Sequence, residues 1–340
     1  MRAAVVHGPG DLRVDDVEDH PPGPGQVTLT VRAATTCGTD VKMLQRRHPA
    51  LGPYPARLGH EFAGVVETCG PGVTRWSPGD EVFCADSAPC GRCRQCVAGR
   101  ASLCEDLLFL MGGFAERIVV PARVVAVNLH RLPAGVPMHR APVAEPLACV
   151  VRAVEGAGVA HGDDVVVVGG GSIGLLVCAV TALAGARPIV VDPHAAHLAL
   201  SERLGAVATV TADRTRHDVE AVLACTNGGA PHVFEAVGRT AAWELAVAMA
   251  HPGGTVTFVG GCTADAQLTV PTFRIHYEEV TLRGSFHHTP RHIRRALELL
   301  ADPAMDWDAL VGPAVGLDDL APMLAVGPSC TGHAKQLVVP

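Results

Sequence analysis

Residues 58–73, LGHEFAGVVETCGPGV, set an imidazole beside a carboxylate at His60 and Glu61 and follow them with Gly64, Gly70 and Gly72. Both side chains are good ligands for a borderline-soft cation such as zinc. Small residues behind them let other backbone approach closely. Alone, the pair fits a buried histidine at the start of a strand equally well. Cys37 in VRAATTCGTD and Glu145 in VAEPLACV add a thiolate and a second carboxylate. A catalytic zinc site uses about three protein ligands and leaves one position open, and these residues can supply that.

Two further patterns carry chemistry. Cys90, Cys93, Cys96 and Cys104 stand at C-x2-C-x2-C-x7-C. Two-residue spacers turn thiolates back toward one ion, and four sulfurs close a tetrahedral shell with no room for substrate. An iron–sulfur cluster is the alternative, since its cysteine spacings look alike. The other cysteines, Cys69, Cys84, Cys149, Cys178, Cys225, Cys262 and Cys330, are expected to pack as small hydrophobes. The second pattern is VVVVGGGSIG, with Gly169, Gly171 and Gly174 at G-x-G-x-x-G and Ser172 and Ile173 inside it. It follows an apolar run and opens a helical one, the context a dinucleotide fingerprint requires. Asp192 closes the next apolar run, with Pro193 and His194 after it and no Arg. A carboxylate there accepts from adenosine ribose hydroxyls and repels a 2′-phosphate, so NAD is expected over NADP.

The elements that must position these groups fall into two textures. Residues 1–32, 59–84 and 114–128 alternate apolar and polar with Gly and Pro punctuation, which predicts an all-β, barrel-like lobe over 1–150. From there, short apolar runs at 165–168, 189–191, 208–210, 232–236, 255–259 and 280–285 alternate with helix-like stretches such as 173–184 and 194–204. That order predicts a doubly wound parallel α/β sheet over 151–288. The last stretch, 289–340, shows one amphipathic segment at 292–300 and reads otherwise as loops. A length of 340 residues suits two domains. Net charge is −7 with no basic block, which argues against nucleic-acid or membrane-surface binding. Of 27 basic residues only Lys42 and Lys335 are lysines. The uncharged stretch 165–186 is long enough to span a membrane, but its central glycines favour a strand, a turn and a helix. The first residues show no secretory leader, so a cytoplasmic location is expected, with the cysteines on metal rather than in disulfides.

Together these pieces resemble the zinc-dependent medium-chain dehydrogenases of the alcohol, sorbitol and threonine dehydrogenase type. The matching residues are Cys37-Gly38-Thr39-Asp40, Gly59-His60-Glu61 with Gly64, Gly70 and Val73, Pro78-Gly79-Asp80, Gly112-Gly113-Phe114-Ala115 and Glu145-Pro146-Leu147-Ala148. The resemblance covers essentially the whole chain. It implies a GroES-like catalytic domain over 1–150 with a structural zinc lobe at 90–104, a Rossmann domain over 151–288, and a return of 289–340 to the first domain. It implies two zinc ions per chain. Cys37, His60 and Glu61 would hold the catalytic one, with Glu145 as a fourth ligand that exchanges with water or substrate. Asp40 would orient His60, and Thr39 would pass the alcohol proton outward, although a turn-capping threonine fits as well. Lys42 departs from the family, where sorbitol and threonine enzymes usually carry His.

The expected reaction is oxidation of a secondary alcohol of a polar substrate to the ketone. Zinc would lower the pKa of the hydroxyl, and hydride would pass to NAD. Polyols, cyclitols, sugars and amino sugars are the candidate substrates, because Glu145-Pro146 is typical of the polyol branch. Asp40, Lys42, Gln45, Arg46, Arg47, His48 and Glu61 make the surroundings of the ligand motifs polar. The aminocyclitol-antibiotic dehydrogenases are similar in length and motif set. Alternatives are threonine 3-dehydrogenase, a simple alcohol dehydrogenase, or a non-catalytic redox sensor that binds NAD(H) and zinc. His287 and His288 follow the last expected sheet strand and could reach the cleft, with a surface position the safer expectation. A homodimer or homotetramer is expected through an open sheet edge near 280–285.

Overall fold

The computed structural model describes residues 1–45, 51–213, 215–326 and 333–340. Arg46, Arg47, His48 and Cys330 lie outside the described residues. Two compact units divide the chain. One comprises Met1–Ala148, His288–Asp302 and Val311–Pro340, the other Cys149–His287 and Pro303–Leu310.

The first unit is built on a largely antiparallel sheet. Its strands run in the order Leu129–Arg131, Glu81–Cys84, Glu61–Cys69, Val27–Thr35, Lys335–Val338, Val311–Val315, with Arg117–Val120 also paired to Val27–Thr35. A smaller sheet places Arg2–Gly8 between Asp11–Asp16 and Ala56–Arg57. Much of Val27–Thr35 and the first half of Glu61–Cys69 are buried on both faces. Leu29, Val31, Phe62, Val66, Val82, Phe114, Ile118 and Leu129 form a single core with Leu317, Leu320 and Val338. Each such side chain, fully buried, stabilises by about 1.5–3 kcal/mol before entropy is counted. The tail is not loops beyond residue 300. It adds two strands to the main sheet, and Val338 and Leu337 pair with Ala34 and Thr35. The lobe is not purely β either, because Gly38–Gln45, Ala122–Val127 and Pro290–Leu300 are helices.

The second unit is a six-stranded, wholly parallel sheet. Its order is Ala208–Thr211, Arg187–Asp192, Asp164–Val168, Ala230–Glu235, Ala250–Phe258, Thr281–Gly284. Strands covered on both faces read as continuous apolar runs. Val165 to Val168 are all buried, and Ile189, Val191, Val233 and Val256 pack with Val166 and Val168. The strand order reverses beside Asp164–Val168, where ligands bind such sheets. The helix Ser172–Leu183 occupies most of the uncharged stretch. No helix among the described residues is long and apolar enough to cross a membrane. Cys84 and Cys178 are buried as expected, whereas Cys225 is exposed on the helix Arg216–Cys225.

Candidate active site

Cys37 sits between the strand Val27–Thr35 and the helix Gly38–Gln45. His60 precedes the strand Glu61–Cys69, after Gly59 at φ +94. That glycine carbonyl accepts from the amides of Gly112 and Gly113, and a Cβ on it would stand 2.6 Å from the Phe114 nitrogen. Only glycine fits the turn that presents His60. The ligand atoms of Cys37, His60 and Glu61 lie within 4.8 Å of one another.

Asp40 ties the first two together. Its Oδ2 accepts from the Cys37 amide at 2.8 Å and its Oδ1 pairs with His60 Nδ1 at 3.0 Å. Asp40 is fully buried. With Nδ1–H given to the carboxylate, Nε2 is left as the lone-pair nitrogen, the usual way a neighbouring carboxylate prepares a metal-binding histidine.

Glu61 has a partner that sequence reading noticed only as a rare residue. Lys335 Nζ stands 2.7 Å from each carboxylate oxygen and 3.2 Å from the Thr36 carbonyl. Thr35 Oγ1 donates to Oε2 at 2.5 Å. Lys335 and Glu61 are both buried. Burial opposes charge on Lys335, but Glu61 and Cys37 outweigh it and hold the amine above its ordinary range. His60 is shifted the same way, burial again being overcome by Asp40 and Cys37. The pocket therefore favours positive charge, which is what a divalent cation brings. Chain-local motifs could not have paired residues 61 and 335; the one available signal was a lysine in an arginine-rich chain.

Glu145 stands in the first turn of the helix Ala144–Ala157. It belongs to a different group, with Asp86, His287 and His288. His288 Nε2 is 2.9 Å from Asp86 Oδ1 and 3.6 Å from Glu145 Oε1. All three are buried, so the expectation of a surface position for His288 is wrong. Its neighbours are a carboxylate pair 202 and 143 residues away in sequence, beyond any local signal. Burial, reinforced by Asp86, pushes the Glu145 carboxyl up to about 7 against the pull of His288 and His60. His287 is half-buried, at φ +62. Thr39 is half-buried in the first turn of its helix, and Lys42 and Gln45 point to solvent.

The sulfur atoms of Cys90, Cys93, Cys96 and Cys104 also lie within 4.8 Å of one another, Cys93 and Cys104 at 3.9 Å. One zinc with bonds of about 2.3 Å requires sulfurs roughly 3.8 Å apart, whereas ligands of a cluster must span the cluster itself. Backbone amides point at these sulfurs, Cys90 to Cys104 at 3.2 Å and Asp106 to Cys104 at 3.4 Å. Amides of Glu105 and Cys96 hold the Cys93 thiol down to about 6.

In the second unit the strand Asp164–Val168 passes through Gly169 into the helix Ser172–Leu183, with Gly171 as N-cap. A Cβ at Gly174 would fall 1.7 Å from the Gly169 carbonyl oxygen, so helix and strand touch through that glycine. Ser172 Oγ is buried with no hydrogen-bond partner among the described residues, at the helix N-terminus where a phosphate would sit. Asp192 ends its strand as expected. Its Oδ2 accepts from the Gly170 amide at 2.7 Å, and its Oδ1 from the His194 amide at 2.8 Å and His197 Nδ1 at 3.0 Å. Burial opposes its charge, but these donors outweigh it and lower its pKa. Sequence reading missed Gly170 and His197, which hold this carboxylate.

Residues 23–134 match the family described as alcohol dehydrogenase GroES-like domain, and residues 172–302 match the one described as zinc-binding dehydrogenase. The chain is 32% identical to D-altritol 5-dehydrogenase of Agrobacterium fabrum, over 90% of each protein. It is 30% identical to L-galactonate-5-dehydrogenase of Escherichia coli, over 92% of this chain and 90% of that one. A zinc-binding dehydrogenase from Sinorhizobium meliloti 1021, solved with bound NADP, superposes with a TM-score of 0.91 at 32% identity. That match covers all of this chain and 99% of the other.

Proposed function

The chain belongs to the zinc-dependent medium-chain dehydrogenases, a family of alcohol oxidoreductases that use zinc and a nicotinamide cofactor, and from that premise we propose that it oxidises a secondary alcohol of a polyhydroxy substrate to the ketone with NAD. The observation that carries the proposal is the set of half-buried Cys37 with buried His60 and Glu61, braced by Asp40 and Lys335. Its thiolate, imidazole and carboxylate suit zinc, and its surroundings favour positive charge. We assign the catalytic ion to these three residues, with Glu145 as the exchanging fourth ligand, and a structural ion to Cys90, Cys93, Cys96 and Cys104.

Zinc bound at the first set supplies Lewis-acid chemistry that eases loss of the alcohol proton. The residues do the rest. Asp40 fixes the His60 tautomer, and Lys335 balances the charge of Glu61. In the second unit Ser172 and the first-turn amides of its helix are assigned to the pyrophosphate, and Asp192 to the adenosine ribose. The carboxylate of Asp192, already anchored by three donors, would repel a 2′-phosphate, which supports NAD over NADP.

Two relatives act on D-altritol and L-galactonate. Their names favour an open-chain polyol over the aminocyclitols. Buried Asp86, Glu145 and His288 add polar groups near the same site. Such a site rejects an analogue lacking its hydroxyls by about 1–3 kcal/mol for each group left unpaired. The test is kcat/KM for ethanol, benzyl alcohol, threonine, sorbitol, altritol, an inositol and an amino sugar, each with NAD and with NADP. An acyclic polyol with NAD is expected to lead by at least an order of magnitude. A lead for either simple alcohol, or for NADP, overturns the respective part.

A further inference from the structure

The Asp192 carboxylate is held at both of its oxygens. Oδ2 accepts from the Gly170 amide at 2.7 Å. Oδ1 accepts from the His194 amide at 2.8 Å and pairs with His197 Nδ1 at 3.0 Å. Burial opposes the charge of Asp192, but His197, His194 and Gly170 outweigh it and keep the group ionised. An ionised carboxylate brings no proton, so His197 Nδ1 is the donor. His197 stands in the first turn of the helix Ala195–Arg203, and its side chain is 9% exposed. The more exposed ring of His194 stacks on it with centroids 5.2 Å apart. The His194 Nδ1 is 3.5 Å from Oδ1, beyond the usual range of a hydrogen bond. Gly170 lies against both partners, since a Cβ there would stand 3.1 Å from the Cβ atoms of Asp192 and His197. A carboxylate has about four acceptor sites, about two on each oxygen. The described residues fill Oδ1 and leave Oδ2 with one.

We propose that His197 is a positioning residue that leaves Asp192 a single acceptor for the cofactor, so that the adenosine ribose is read through its 2′-hydroxyl alone. This rests on the assignment of Asp192 to the ribose of NAD. Hydrogen bonds on both oxygens resist rotation of the carboxylate, so the free site on Oδ2 keeps its direction. The 2′-hydroxyl takes that site, because it is the hydroxyl that a carboxylate at this strand end meets. With Oδ1 already filled by His194 and His197, the 3′-hydroxyl gains nothing from Asp192. Discrimination against a 2′-phosphate is then concentrated at one oxygen that cannot turn away.

The measurement is calorimetric binding of NAD, and of NAD lacking either the 2′- or the 3′-hydroxyl of its adenosine ribose, to the full-length protein. In wild type the 2′-deoxy analogue should bind more weakly than NAD by a factor on the order of 10, as loss of a hydrogen bond to a charged group requires. The 3′-deoxy analogue should match NAD. His197→Leu frees Oδ1, so a penalty for the 3′-deoxy analogue should appear, again on the order of 10-fold. His197→Asn, whose amide nitrogen falls where Nδ1 was, should keep the wild-type pattern. His197→Gln, whose amide reaches further, should follow His197→Leu. A merely structural role for His197 would weaken all three ligands alike and create no new dependence. Equal binding of the two analogues in wild type overturns the proposal, as does the absence of a 3′ penalty in the Leu and Gln variants. A wild-type protein that binds NADP as tightly as NAD overturns the NAD assignment itself.

Discussion

Glu61 and Lys335 meet with almost no solvent around them, both oxygens of the carboxylate 2.7 Å from the amine. Removing one partner of a buried pair leaves an uncompensated charge, at a cost of about 3–5 kcal/mol. Lys335→Met is therefore expected to destabilise the metal-free protein by that amount in urea unfolding. The zinc-loaded protein should lose clearly less, because the ion replaces the lost positive charge beside Glu61. Equal losses with and without zinc would separate Glu61 from the metal site. At this scale the sequence was readable where ligands sit in contiguous motifs. Cys37, Asp40, His60 and Glu61 were recognisable within two short stretches. Lys335, His288 and His197 were not, because each acts through a contact that only the fold creates, and a lone lysine or histidine looks the same in a surface loop.

Elements present these residues through a few steric necessities. The helix Ser172–Leu183 approaches its strand so closely that Gly174 has no room for a side chain, its notional Cβ lying 1.7 Å from backbone oxygen. Backbone cannot yield cheaply, so Gly174→Ala is expected to cost at least about 1–3 kcal/mol. The displaced helix N-terminus should also weaken NAD binding severalfold, read by urea midpoint and by NAD titration. A variant with wild-type stability and affinity would mean that the contact is not needed. The parallel sheet was legible because its strands are covered on both faces and read as bare apolar runs, such as Val165 to Val168. The helix Ala144–Ala157 was not read as one, because AEPLACVVRAVEGA is apolar on nearly every side and its buried Glu145 interrupts no simple period. The last two strands were missed because Val311–Val315 contains a proline, and Lys335–Val338 is only four residues long.

As a whole, the molecule combines a β unit that carries both proposed zinc sites and a parallel α/β unit that carries the cofactor fingerprint. The strand Thr281–Gly284 ends the parallel sheet with one side unpaired among the described residues. Phe273 and Ile275, on the short helix Thr272–His276 that precedes it, and Tyr277, which caps that helix, are 57, 43 and 72% exposed. An open edge beside exposed aromatics invites pairing with a second copy. Light scattering at micromolar concentration should therefore give two or four times the chain mass of 35.3 kDa. A mass of one chain would reject that assembly.

The central claim, that Cys37 helps hold a zinc on which alcohol oxidation depends while four cysteines hold another, is tested most directly by counting metal and activity together. Zinc per chain and NADH formation from a polyol should be measured on wild type and on Cys37→Ser. The account predicts two ions and activity in the wild type, and one ion with activity lost in the variant. A variant that keeps both ions, or that keeps its activity after losing one, would contradict it.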